Sequence, residues 1–189
     1  MFLFWIFSGL SSAALTEAAD LIKTTEASRP LVCGCCLGKS SNDANEIVEC
    51  DSCGISVHEG CYGVIEESNS VASTVSSAST EPWFCEPCRA GLTAPPTCDL
   101  CPCRGNGVYK RTDVGRWVHL VCSLYVPGVA FGEPERMTHV TVFEMNYNSW
   151  GRKSCSLCDD AHKSRSGVVI QCDAGMCKSH FHVVCAQVR

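Results

Sequence analysis

Apolar positions along this chain come in short bursts rather than long periodic runs. Residues 46–50 (EIVEC) and 54–58 (GISVH) alternate apolar and polar side chains, which predicts two short strands closing a small hairpin. Residues 118–125 (VHLVCSLY) predict a short helix carrying His119 and Cys122, and no longer helical period is present. The first 14 residues (MFLFWIFSGLSSAA) form an apolar run that ends in small residues, as the core of a secretory signal does. No basic segment precedes the run, since Lys23 is the first cation. It is also far shorter than the ~20 apolar residues that span a bilayer, so a membrane helix is rejected.

Polar punctuation divides the rest. Residues 1–30 carry no cysteine and end in a polar stretch, and are read as a disordered or apolar leader. A Ser/Thr-rich piece at 66–80 (EESNSVASTVSSAST) predicts a flexible loop. The APP at 94–96 and a cysteine-free stretch at 123–154 separate three cysteine-rich blocks. The resulting expectation is a first module at 31–92, a second at 93–127, a connector at 128–154 and a third module at 155–189.

Composition sharpens this. The 189 residues include 17 cysteines, about 9 per cent, a density at which cross-links or metals replace a large apolar core. Charge is uneven: residues 33–88 hold nine acidic side chains and one lysine, whereas residues 89–189 hold twelve basic and eight acidic. The first block should therefore attract a cationic partner, and the later part tolerates an anionic one.

Spacing decides between disulfides and metal. In the first block Cys33 and Cys36 form a CxxC turn, as do Cys50 and Cys53; His58 and Cys61 follow at a two-residue gap, then Cys85 and Cys88. A CxxC turn lets two thiolates face one ion, and eight ligands make two closed tetrahedral zinc sites with no position left for a substrate. A histidine at a fixed interval among cysteines has no role in a disulfide ladder, which argues against a secreted disulfide protein. The second block, Cys98, Cys101, His119 and Cys122, supplies one more site, with Trp117 and Val118 as packing residues. The third repeats the order of the first with Cys155, Cys158, Cys172, Cys177, His182 and Cys185, and then stops at Arg189. It holds one complete site and half of another. Cys35 and Cys103 remain outside every set and are read as incidental thiols.

Four cysteines, a histidine and three cysteines, with Trp83 two residues before the seventh ligand, resemble the PHD finger family. RING fingers normally place the histidine earlier. The order of finger, knuckle and finger resembles the extended PHD module, also called PZP, found in chromatin regulators. The stretches EIVECDSCGISVHEGCYGV, STEPWFC, GRWVHLVCSLYVPGVAFG, EMNY and CDAGMC carry that likeness, which spans residues 31–188. It implies small zinc-stabilised α+β modules: a cross-braced PHD finger, a zinc knuckle and a second PHD finger that is incomplete. In the cross-brace, Cys33, Cys36, His58 and Cys61 share one zinc, and Cys50, Cys53, Cys85 and Cys88 the other. Cys155, Cys158, His182 and Cys185 close the third module's first site, and Cys172 with Cys177 hold half of its second. The expected load is four zinc ions and a half-complete fifth site.

No catalytic constellation survives this accounting, because the Cys/His neighbours are taken as ligands. The expectation is a non-enzymatic nuclear reader of the histone H3 tail. The tail would add as a strand along Ile47, Val48 and Glu49, with Asp43, Glu46, Glu49 and Asp51 facing its cations and Glu81 to Trp83 near its amino terminus. The segment 37–49 has no aromatic ring to cage a trimethylated lysine, which predicts preference for an unmodified lysine at tail position four. Nucleosomal DNA is an alternative partner through Arg104, Lys110, Arg111, Arg116, Arg152 and Lys153. A RING-type ubiquitin ligase is the enzyme-linked rival, disfavoured by ligand order. No small-molecule substrate and no membrane partner are expected.

Overall fold

The hairpin expected near residue 50 forms from strands β1 (Ile47–Glu49) and β2 (Ser56–His58), with Val48 opposite Val57. This is a computed structural model, and it describes residues 30–64, 82–105 and 107–189. The leader up to residue 29, the loop expected at 66–80 and Glu81 lie outside the described residues. Helix α1 (Glu59–Tyr62) follows β2 without a linker and ends at Gly63, whose φ of 72° suits glycine. Helix α2 (Glu86–Arg89) opens with Pro87 near its first position, where a missing N–H is harmless.

The strand-to-helix step recurs twice. Strands β3 (Tyr109–Arg111) and β4 (Trp117–His119) lead into α3 (Leu120–Tyr125). Strands β7 (Ile170–Gln171) and β8 (His180–Phe181) lead, through His182, into α5 (Val183–Gln187). His58, His119 and His182 each precede the helix with extended backbone, at ψ 143°, 139° and 143°. The helix expected over 118–125 therefore starts later. Trp117 and Val118 pair with Arg111 and Lys110 across the hairpin, so strand pairing overrides the helical spacing and His119 sits at the junction.

The stretch read as a connector carries structure of its own: β5 (Ala130–Glu133) pairs with β6 (Thr138–Thr141). Val140, Val142 and Met145 are buried with Cys98, Leu100, Tyr109, Val118, Val121 and Val126. The Asp113 amide donates to the Val140 carbonyl at 3.0 Å, tying this hairpin to the turn after β3. A short helix α4 (Ala161–Ser164) is capped by the Asp160 carboxylate, which accepts from the amides of His162 and Lys163.

Residues 32–189 pack as one compact unit, and its two buried clusters do not follow module boundaries. Val108 and Leu120 belong to the cluster of Cys33, Cys50, Val57, Tyr62 and Cys85. Val183 joins the cluster around the second block. Gln187 Nε2 on α5 donates to the carbonyls of Gly34 and Cys35 at 3.1 and 2.7 Å, so the last helix reaches back to the first CxxC turn.

Candidate metal centres

His58 and His119 end a strand and His182 directly follows one, and each meets a cysteine three residues on, in the first turn of the helix. Strand and helix thus aim two ligands at one point, and a CxxC turn supplies two more. Four sets form in this way or by the pairing of CxxC turns. They are Cys33, Cys36, His58, Cys61; Cys50, Cys53, Cys85, Cys88; Cys98, Cys101, His119, Cys122; and Cys155, Cys158, His182, Cys185. Within each set the donor atoms lie within 4.8 Å of one another.

These distances fit zinc. Four sulfurs about 2.3 Å from one tetrahedral centre stand about 3.8 Å apart, and a nitrogen ligand shortens the edge slightly. Cys53 Sγ to Cys85 Sγ is 3.7 Å, Cys122 Sγ to Cys101 Sγ 3.8 Å and Cys158 Sγ to Cys185 Sγ 3.7 Å. Nδ1 of His58, His119 and His182 lies 3.3 Å from Sγ of Cys36, Cys101 and Cys158 respectively. His58 and His182 place Nε2 2.7 Å from the carbonyls of Ser40 and Ser166, which fixes the proton there and leaves Nδ1 its lone pair for the metal. The His119 ring instead stacks on Tyr109, with centroids 4.3 Å apart.

Backbone amides tune the sulfurs. The amides of His58, Cys85, His119 and His182 point at Sγ of Cys33, Cys50, Cys98 and Cys155, at 3.3 to 3.4 Å. Burial raises the Cys33 thiol, but hydrogen bonds from the amides of Cys36, His58 and Cys35 outweigh it and bring the thiol down to about 7. Cys50 falls to about 7 in the same way, with the amide of Cys85 the largest lowering influence against burial. Thiolates so stabilised are ready metal ligands, and with all four positions filled by protein the sites are structural.

Cys172 and Cys177 stand apart from these sets. Among the described residues no third Cys, His, Asp or Glu joins them. Of the thiols outside every set, Cys35 is half-buried and pushed up to about 11, by burial and by the neighbouring Cys33 and Cys36. Cys103 has its Sγ 3.6 Å from that of Cys185, at the seam between the second and third blocks, a placement that spacing does not reveal.

Comparison with known proteins identifies the architecture. A family model described as "PHD-zinc-finger like domain" matches residues 96–189, and one described as "PHD-finger" matches residues 44–72. The crystal structure of the zebrafish PHF14-PZP is 53% identical, with a TM-score of 0.68 over 83% of this chain and 74% of that one. The chain belongs to the PHD-finger family. Its three blocks correspond to a PHD finger, a zinc knuckle and a second PHD finger, and they bind zinc. PHD finger protein 14 of Danio rerio is 58% identical over 157 residues, 83% of this chain and 17% of that protein. The Homo sapiens protein of that name is 57% identical over the same share of this chain and 16% of its own length. E3 ubiquitin-protein ligase Jade-2 of Homo sapiens is 38% identical over 82% of this chain and 18% of its own length. The chain thus spans about one sixth of the length of these relatives.

In the first PHD finger, β1 pairs with β2 and, among the described residues, with no other strand. The Cys50 amide bonds to Ile55 and the Glu59 amide to the Glu46 carbonyl, so the ladder runs through the even-numbered residues of this strand. The backbone groups of Ile47 and Glu49 face the outer edge, where the Ile47 amide bonds to Ser41 Oγ at 3.0 Å. Asp43, Glu46, Glu49 and Asp51 are exposed, Ile47 is buried, and Val48 and Trp83 are half-buried. Asp51 and Trp83 are joined by two bonds: the Trp83 amide donates to Asp51 Oδ2 at 2.8 Å, and the Asp51 amide to the Trp83 carbonyl at 3.0 Å.

Two of the cations expected to face phosphate are engaged internally. Lys110 is buried and paired with Glu86 at 2.8 Å, because β3 turns its side chain into the first finger. Arg116 remains exposed but lies 2.7 Å from the Asp99 carboxylate. Arg104, Arg111, Arg152 and Lys153 are exposed.

Proposed function

We propose that this module is a nuclear chromatin reader whose first PHD finger binds the histone H3 N-terminal tail. The observation that carries the reading is the outer edge of β1, where the carbonyl of Ile47 and both backbone groups of Glu49 face outward beside exposed carboxylates. An extended peptide adding there gains main-chain hydrogen bonds, and Asp43, Glu46, Glu49 and Asp51 meet its lysine and arginine side chains. Pro82 and Trp83 line the end where the tail's amino terminus would sit.

The site favours an unmodified lysine at tail position four. No aromatic side chain occurs between residues 37 and 49, and Tyr62, the nearest Phe, Tyr or Trp in sequence, has its face covered by Lys110 Nζ at 3.8 Å. An ammonium donates three hydrogen bonds to carboxylates and loses one with each methyl group. Charged hydrogen bonds of ~1 to 2 kcal/mol give about five- to thirty-fold discrimination. Calorimetry with unmodified and trimethylated H3 peptides tests this: equal or tighter binding of the trimethylated peptide overturns the preference, and no binding of either overturns the tail reading.

A second reading, contact with nucleosomal DNA, has its support where the connector meets the third block. Arg152 and Lys153 are exposed there, and a Cβ at Gly151 would stand 3.3 Å from the carbonyl of exposed Arg165. Phosphate contacts by these side chains would give salt-dependent mobility shifts that Arg152→Ala with Lys153→Ala weakens.

A further inference from the structure

Lys110 belongs to the knuckle, yet its side chain is 3% exposed and lies inside the first PHD finger. Its Nζ donates to Glu86 Oε1 at 2.8 Å and to the Arg136 carbonyl at 3.4 Å, and it stands 3.8 Å from the centre of the Tyr62 ring. The other Glu86 oxygen accepts the Arg111 amide at 2.9 Å. Tyr62 closes the arrangement: its hydroxyl accepts the Glu86 amide at 2.8 Å and donates to the Tyr109 carbonyl at 3.2 Å. Cation, carboxylate and ring thus satisfy one another across the boundary between two zinc modules.

A buried ion pair adds little stability beyond what a well-packed apolar pair would give, and its best-attested use is to fix register. What this one fixes can be followed outward. The Tyr62 ring meets Trp83 edge-on, with centroids 5.4 Å apart at 88°. Trp83 also lies three residues before Glu86, and its backbone is clasped to Asp51 by the two bonds described above. Lys110 therefore holds both supports of the wall formed by Trp83 and Asp51: the ring beneath it and the helix start beside it.

We propose that Lys110 is a positioning residue for tail recognition: from the knuckle, it sets the Trp83 and Asp51 wall against which the first PHD finger seats the amino terminus of its cationic peptide. The proposal rests on the tail reading for its affinity readout, but not for its structural one. The knuckle then governs affinity without touching the peptide, and the two modules act as one recognition unit.

The test uses the zinc-loaded chain with Lys110→Met, which keeps the aliphatic stem and removes the charge. A second variant joins it with Glu86→Gln, so that no carboxylate is left buried without its cation. Native mass spectrometry reads the zinc load, and the Trp83 indole resonance, assigned with Trp83→Phe, reads the wall. Calorimetry reads affinity for an unmodified H3 N-terminal peptide with a free or an acetylated amino terminus. Both variants should keep four zinc ions and move the Trp83 resonance. They should lose about ten-fold in affinity for the free peptide, a change of about 1.4 kcal/mol, and much less for the acetylated one. A merely structural role would weaken both peptides alike, which overturns the proposal. So does a double variant with the wild-type Trp83 resonance and wild-type affinity. If Lys110→Met loses zinc, the double variant alone is read. If the wild-type chain binds neither peptide, the tail reading fails, and the Trp83 resonance still decides: a shift supports Lys110 as the residue that positions the wall, and no shift overturns it.

Discussion

Individual residues matter here chiefly through the metal they hold or the space they leave. His58 is 6% exposed and bonded through Nε2 to Ser40, whereas the His139 side chain is 64% exposed between Asp113 and Glu133. His58→Ala should lose a zinc ion in native mass spectrometry and His139→Ala should lose none; equal losses would mean that the ligand set is wrong. Gly107 is a subtler case. A Cβ there would stand 2.3 Å from Cδ2 and 2.7 Å from Nε2 of His119, so Gly107→Ala must displace a ligand ring. It should release the knuckle's zinc selectively, detectable as a chain with three ions instead of four. Gly63 meets the same limit, since its Cβ would overlap the Arg136 backbone where the first finger meets the turn between β5 and β6.

Secondary-structure elements here are too short to be stable alone. Strands of two to four residues and helices of four to six hold their shape because zinc and neighbouring cores fix both ends. The hairpin β5–β6 shows the second kind of support. Val140 is fully buried under the knuckle, so Val140→Ala should cost about 2 kcal/mol from lost burial and the cavity left behind. Thermal unfolding at saturating zinc measures it; a change below about 0.5 kcal/mol would mean that the hairpin is a passive connector. The loop between β7 and β8 has neither support. Cys172 and Cys177 should alkylate before the buried Cys98, Cys101 and Cys122, and mass mapping of a time course would show the reverse order if a metal or close packing protects them.

Residues 32–189 pack as one unit, and its four ligand sets predict that it depends on metal as a single body. Buried clusters cross the module boundaries through Val108, Leu120 and Val183, and Gln187 links the last helix to the first zinc turn. Chelation should therefore unfold the described unit rather than release three independent beads, because sulfurs gathered without metal repel and little apolar core remains to hold them. A chelator titration followed by circular dichroism should give one transition, accompanied by loss of four zinc ions per chain. Well-separated steps, each matching one module, would refute the shared-core account.

Candidate ligands were legible in the chain itself, whereas their pairing across the first block came from the resemblance to the PHD finger, and Cys172 with Cys177 join none of the four sets. Cysteine pairs three residues apart and a histidine three residues before a cysteine are local patterns, and tetrahedral coordination admits few ways of using them. The β1–β2 hairpin was legible for the same reason, since side-chain alternation acts over a few residues. The start of α3 was not, because the cross-strand partners of Trp117 and Val118 compete with helix spacing, and such pairing is a tertiary matter. Nor was the β5–β6 hairpin, whose apolar residues gain their meaning only from the knuckle surface they cover. Lys110 shows the limit most clearly. In the sequence it is one more exposed cation; the structure turns it inward because Glu86, 24 residues earlier, and Tyr62, 48 residues earlier, supply the charge and the ring that make burial tolerable. Local spacing determined which atoms bind metal. Only the packing of distant segments decided which charges face the solvent and which hold the modules together.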